Sequence, residues 1–160
     1  SSIGHRKQNS QTMTKIDFYQ IESDEAPLLF CCRLVAKIYR MGHQVHIHTE
    51  NEAQAKEMDA LLWHFRPESF IPHTLDNIDE EAPIRIGCSK MSEPNTHQEV
   101  LVNLSGSVPD FFSRFERVAE VVPLNADSRD AARENYKFYK DRGYEIKYNK
   151  ISQHSASKNV

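Results

Sequence analysis

Residues Lys15 to Thr49 read KIDFYQIESDEAPLLFCCRLVAKIYRMGHQVHIHT, and this run decides the fold class. KIDFYQ (Lys15–Gln20) alternates with the two-residue period of a strand. From Pro27 to Met41 the period changes, because Leu28, Cys31, Leu34, Val35 and Ile38 recur at helical spacing. Gly42 follows, a residue that accepts the left-handed conformation closing a helix. QVHIHT (Gln44–Thr49) is again strand-like, so the run predicts a strand, a crossover helix and a second strand.

Outward from this unit the same alternation continues. Asn51 to Phe65 predicts a helix with Ala55, Met58, Leu61, Leu62 and Phe65 on one side, and Pro67 forbids its extension. Pro83–Cys88 and Glu99–Leu104 predict strands, Asp110–Phe115 a short helix and Val118–Val122 a strand. Ala126–Arg142 predicts a long helix closed by Gly143, with Tyr144–Tyr148 as the last strand. Strands alternating with helices predict a three-layer α/β domain, its sheet mostly parallel with helices on both faces. One such domain is expected over residues 13–150. Residues 1–12 are expected to be a disordered leader or a non-native remnant, because Met13 directly precedes the first strand, and 151–160 a flexible tail. The acidic stretch Asp76–Glu81 and the polar stretch Ser89–Gln98 read as exposed connections.

Composition removes whole classes of function. The chain has 160 residues, of which 39% are hydrophobic and 27% charged, enough apolar content for one folded core. Its longest apolar run, Ala26 to Cys32, is far shorter than the roughly 20 residues a spanning helix needs. Twenty basic residues against 23 acidic ones give a net charge of −3, opposite to the footprint of a protein that grips phosphates. Nucleic acid is therefore expected only as an indirect partner. Cys31, Cys32 and Cys88 form neither a disulfide framework nor a CxxC site, which fits a reducing, cytoplasmic setting.

The usual catalytic signatures are missing. No GxGxxG, GxxxxGK, GxSxG or HExxH occurs, and Glu22-Ser23-Asp24-Glu25 after the first strand would repel a phosphate. Cys31 and Cys32 lie within an apolar helical run and read as small buried hydrophobes. His46 and His48 share one face of their strand, so with Glu50 they could approach a metal-ligand set. That arrangement defines the alternative reading, a small α/β metal-dependent hydrolase centred on His46 and His48; packing beneath a helix is the plainer reading of the same residues.

Two stretches point to partners. At about 100° per residue, Arg129, Arg133, Tyr136, Lys137 and Lys140 share one face of the last helix. Ala131, Ala132, Asn135, Phe138 and Tyr139 form its core side, while Asp130, Glu134 and Asp141 make a separate acidic stripe. Surface helices usually interleave charges for local pairing; a cationic face carrying an aromatic ring suits an acidic peptide with an aromatic residue or a carboxylate end. The second stretch, Trp63 to His73, holds the only tryptophan, two phenylalanines and two prolines at a helix end, which suits a partner surface or the edge of the core.

Six segments together resemble the chi subunit family of bacterial DNA polymerase III. They are FYQI (Phe18–Ile21), the helix ending Leu61-Leu62-Trp63, PESFIPH (Pro67–His73), LVNLS (Leu101–Ser105), PDFFSRFERVAEVVP (Pro109–Pro123) and ARENYKFYKDRGY (Ala132–Tyr144). The resemblance covers about Lys15 to Tyr148. It implies a Rossmann-like sheet and a non-catalytic, cytoplasmic adaptor without cofactor or metal. Such an adaptor links the clamp loader, through its psi subunit, to the acidic, phenylalanine-ended C-terminal tail of single-stranded DNA-binding protein. The tail site implied comprises Val122, Arg129, Arg133, Tyr136, Lys137 and Trp63. Arg133 and Lys137 would meet carboxylates, Val122 and Tyr136 would wall the phenylalanine, and Arg129 would steer the approach. The psi site implied comprises Phe65, Pro67, Phe70, Ile71 and Pro72. The sequence departs from the family pattern between Ser89 and Gln98, where Lys90 is the one strong cation.

Overall fold

The structure, a computed structural model, describes residues 13–65, 71–75, 82–88 and 99–151. Seven strands and three α-helices occur among them: β1 (Lys15–Ile21), α1 (Pro27–Arg40), β2 (Val45–Thr49), α2 (Glu52–Phe65), β3 (His73–Leu75), β4 (Ile84–Cys88), β5 (Val100–Asn103), β6 (Arg117–Val122), α3 (Ala126–Asp141) and β7 (Glu145–Ile151). The strands form one sheet in the order β3-β4-β2-β5-β6-β1-β7. Every pairing is parallel, so the expectation of a mostly parallel sheet is met in its strictest form.

The helices begin and end for local reasons. Pro27 occupies the first turn of α1, where a missing N–H removes no hydrogen bond. Asn125 caps α3, its Oδ1 accepting from Ser128 N at 2.7 Å. Past α3 the chain reverses through Gly143 at φ 82°, and Tyr144 N returns a bond to Tyr139 O at 3.1 Å.

Two cores lie on the two faces of the sheet. On one, α1 and α2 cover Ile21, Val45, Ile47, Ile84, Ile86, Val100, Val102 and Val121. On the other, α3 and the segment Phe111–Phe115 cover Ile16, Phe18, Leu101, Val118 and Val122. Strand alternation sends Phe18 and Val122 toward α3, and Ile21 and Val121 toward α1.

The structure departs from the sequence reading in four places. Asp110–Phe115 forms only a 3-10 turn, Phe112–Arg114, because Phe111 and Phe115 pack on His46 and His48 of the sheet while Phe112 packs on Phe138 and Tyr139 of α3, so the three buried rings do not share one helical stripe. β3, three residues on the sheet edge, escapes any periodicity argument. The last strand runs to Ile151 rather than Tyr148, paired with β1 along its length, and carries the domain one residue past 150. Trp63 lies on α2, which packs on β3, β4 and β2, whereas α3 packs on β6 and β7 at the opposite side of the sheet, so the two do not form one pocket. The leader 1–12, the stretches 76–81 and 89–98, the tail 152–160, Pro67 and Phe70 lie outside the described residues.

Candidate functional site

β1 and β6 are parallel neighbours whose following helices cover opposite faces of the sheet, α1 one face and α3 the other. Such a switch opens a crevice at the carboxyl ends of the two strands. Arg129, one turn into α3, fills this crevice: its Nη2 donates to Ile21 O and to Glu22 Oε2, each at 3.1 Å. The same turn after β1 whose acidity argued against a phosphate therefore neutralises a guanidinium.

Beyond Arg129 the helix face is open. Arg133 and Lys137 are exposed, and the Arg133 guanidinium pairs with Asp130 one turn earlier. Tyr136 is half-buried and lies over Phe18, ring centres 5.7 Å apart. On the facing edge strand, Tyr148 stacks on the same Phe18 at 5.4 Å and 16° and meets Tyr136 edge-on at 6.1 Å. Phe18 is fully buried, so two tyrosines share a phenylalanine floor. Tyr148 remains 41% exposed, and its hydroxyl donates to Gln20 Oε1, while Gln20 Nε2 donates to Glu22 Oε2 at 2.5 Å. That bond, ahead of the nearby Arg129 and Lys150 charges, holds the Glu22 carboxyl below its usual range. Burial raises the Tyr148 phenol, with Arg129 and Arg133 pulling against it. The result is a groove between α3 and β7 with cations along one wall and rings along its floor.

Val122 is 3% exposed and sits in the core between β6 and α3, so it supports this floor from beneath. The groove also contains residues that the sequence reading passed over: Gln20, Glu22, Tyr148 and Lys150. Alternation along β7 places Tyr148 with Ile146 toward α3, but that β7 lies beside β1 is not legible in a local pattern.

Beneath α3 lies a buried polar network. Glu120 on β6 accepts from Tyr139 Oη at 2.5 Å and from Asn103 Nδ2 at 3.0 Å, and Asn103 Nδ2 also donates to Ser107 O at 2.8 Å. Burial pushes the Glu120 carboxyl up to about 7 although both hydrogen bonds pull it down.

The other suspected sites resolve differently. His46 and His48 do share a strand face, but Phe111 stands edge-on to both rings, at 5.8 and 5.3 Å, and Phe115 lies 6.1 Å from His46. Burial lowers the His48 pKa and favours the neutral ring. Glu50 is exposed past the strand end, and among the described residues no three His, Cys, Asp or Glu side chains converge to hold a metal. Around α2, Trp63 is 57% exposed and stands edge-on to the His73 ring at 5.1 Å. Phe65 and Pro72 are half-buried. Ile71 is buried in the core against α2 and is thereby withdrawn from any surface. No helix of the described residues is long and apolar enough to cross a membrane.

Comparison with known proteins gives a consistent family. Residues 13–147 match the family model described as DNA polymerase III chi subunit, HolC. The chain is 42% identical over 141 residues to the DNA polymerase III subunit chi of Pseudomonas aeruginosa, covering 87% of this chain and 98% of that protein. It is 35% identical over 116 residues to the Haemophilus influenzae subunit, covering 72% and 81% respectively. Against the Escherichia coli subunit it is 30% identical over 142 residues, covering 84% and 96%.

Proposed function

Because this chain belongs to the DNA polymerase III chi subunit family, a non-catalytic accessory part of that holoenzyme, we propose that it is a two-sided adaptor. In this reading the α3–β7 groove takes the acidic C-terminal tail of single-stranded DNA-binding protein, and the surface around Trp63 takes the psi subunit of the clamp loader. The observation that carries the reading is the meeting of cations and rings in one groove. Arg129, Arg133 and Lys137 stand on α3 beside Tyr136, and Tyr148 faces them across Phe18.

Each part of a phenylalanine-ended acidic tail has a counterpart there. Arg133, in water and held only by a neighbour on its own helix, can exchange Asp130 for a terminal carboxylate with a forked pair of bonds. A phenyl ring fits against Tyr136 and Tyr148, where rings meet edge to face for about 0.5–1.5 kcal/mol beyond area burial. Lys137 and Lys150 extend a positive rim that steers the approach. On the psi side, Trp63 is the ring open to water near the half-buried Phe65 and Pro72; Pro67 and Phe70, which the same reading includes, lie outside the described residues.

The test is a titration of a synthetic acidic peptide ending in phenylalanine against the wild type and Arg133→Glu. Wild type binds and the variant does not, and added salt weakens the wild-type complex. Equal affinity for the two proteins removes the groove as the tail site.

A further inference from the structure

The groove carries a carboxylate of its own in a place where an incoming one would sit. Glu22 stands at the end of β1 with its backbone N–H fixed on Ile151 O at 2.7 Å. Its Oε2 receives both Arg129 Nη2 at 3.1 Å and Gln20 Nε2 at 2.5 Å. Arg129 Nη2 is thus already engaged, serving the Glu22 carboxylate and the Ile21 carbonyl together, while the buried Arg129 Nε has no hydrogen-bond partner among the described residues.

The two arginines of the groove differ in what they offer. Arg133 and Asp130 have side chains 71% and 66% exposed, and such a pair contributes little and exchanges freely with solvent ions. Arg129 and Glu22 are 29% and 36% exposed, and Glu22 is held in place by its backbone and by Gln20. A peptide carboxylate arriving at Arg129 Nη2 meets Glu22 there and has to share the nitrogen with it. The second carboxylate comes at the cost of like-charge proximity, so the gain is small.

Resting on the reading of this groove as an acidic-tail site, we propose that Glu22 is a specificity-determining residue. By holding Arg129 in the unliganded protein, it withholds that guanidinium from acidic stretches in general and leaves the terminal carboxylate at Arg133, with the ring beside it, to decide binding. Without Glu22, any run of aspartates could occupy Arg129 and Arg133 at once. With it, the groove selects a chain end over an internal acidic segment, which is discrimination by an unfavourable contact rather than by a favourable one.

The experiment measures the affinities of two synthetic peptides, an acidic phenylalanine-ended one with a free terminal carboxylate and the same peptide amidated. The proteins are wild type, Glu22→Gln, Glu145→Gln and Arg133→Glu. Glu145 begins β7, six residues from the Ile21–Ile151 end of the pairing or about 20 Å away, so its variant removes the same charge remotely. Wild type favours the free carboxylate by about tenfold or more. Glu22→Gln binds the amidated peptide about fivefold more tightly and the free one with a smaller gain, narrowing the preference, while Glu145→Gln keeps the wild-type ratio. A Glu22→Gln that weakens both peptides makes Glu22 a mere support for Arg129 and overturns the proposal. So does an unchanged ratio, or equal narrowing in Glu145→Gln. If wild type binds neither peptide, or Arg133→Glu binds as wild type does, the tail-site reading itself falls and takes this inference with it.

Discussion

Tyr139 donates its hydroxyl hydrogen to the buried carboxyl of Glu120 at 2.5 Å, joining α3 to the middle of β6 directly under the groove. Both residues lie in the core, Tyr139 fully buried and Glu120 nearly so, and Asn103 completes the set from β5. A buried polar network of this kind fixes the rotation of a helix more sharply than apolar contacts do, because a small turn would break directional bonds. It thereby sets where Arg133 and Tyr136 point.

This network predicts a pH dependence of stability. Burial raises the Glu120 pKa from 4.5 to about 7, so between those values the folded chain keeps a proton that the unfolded chain releases. Stability from this group is therefore fullest at low pH, falls as pH rises through that window and levels off above it, by roughly 3 kcal/mol in all. Thermal unfolding of Glu120→Gln should show a flatter profile than wild type between about pH 4.5 and about pH 7. An unchanged slope would mean that Glu120 is ionised throughout.

Removing the donor tests the same contact from the other side. Tyr139→Phe leaves the buried carboxyl one hydrogen bond short and should cost about 1–3 kcal/mol in chemical denaturation. Because the Tyr139 bond favours the charged carboxylate, its loss should also move the Glu120 titration further up.

Tyr148 should matter to binding more than to folding. It is 41% exposed and stacks on the outer side of Phe18, so Tyr148→Ala removes one wall of the ring notch and little of the core. By calorimetry a phenylalanine-ended peptide should lose about three- to tenfold in affinity, and an alanine-ended one much less. Equal losses would place the ring elsewhere.

Trp63 and Ile71, close in sequence, should behave oppositely. Trp63→Ala at an exposed ring should leave stability within about 0.5 kcal/mol and leave tail-peptide affinity unchanged, while weakening co-purification of psi. Ile71→Ala opens a cavity in the core beside α2 and should cost about 2–5 kcal/mol. A tail-binding defect in Trp63→Ala would reinstate that residue in the tail site.

All three cysteines are free and buried, and burial pushes the Cys32 thiol up to about 12 and Cys31 well above its ordinary value. A thiol-reactive dye should label the native protein negligibly at neutral pH and all three thiols after unfolding. Rapid native labelling of Cys31 or Cys32 would show that α1 opens readily.

Much of this was legible locally. The spacing of Leu28, Cys31, Leu34 and Val35 defines α1, and the wheel of Ala126–Arg142 puts Arg129, Arg133, Tyr136 and Lys137 on one side of α3. Phe111–Phe115 misled because a run of phenylalanines satisfies a helical spacing as well as a turn pressed on a sheet. His46 and His48 were placed on the correct face, but what covers that face, Phe111 and Phe115, comes from more than sixty residues further along the chain.

Sequence alone determined the alternating elements, their apolar faces and the cationic stripe of α3, since each follows from a period of two or 3.6 residues within one segment. Tertiary structure alone decided that β1 lies between β6 and β7. That order brings Phe18, Gln20 and Glu22 under Tyr136, Tyr148 and Arg129, and it sends Trp63 to the far side of the sheet. Strand order is set by which faces bury together across the whole chain, a sum over distant contacts that no local period encodes.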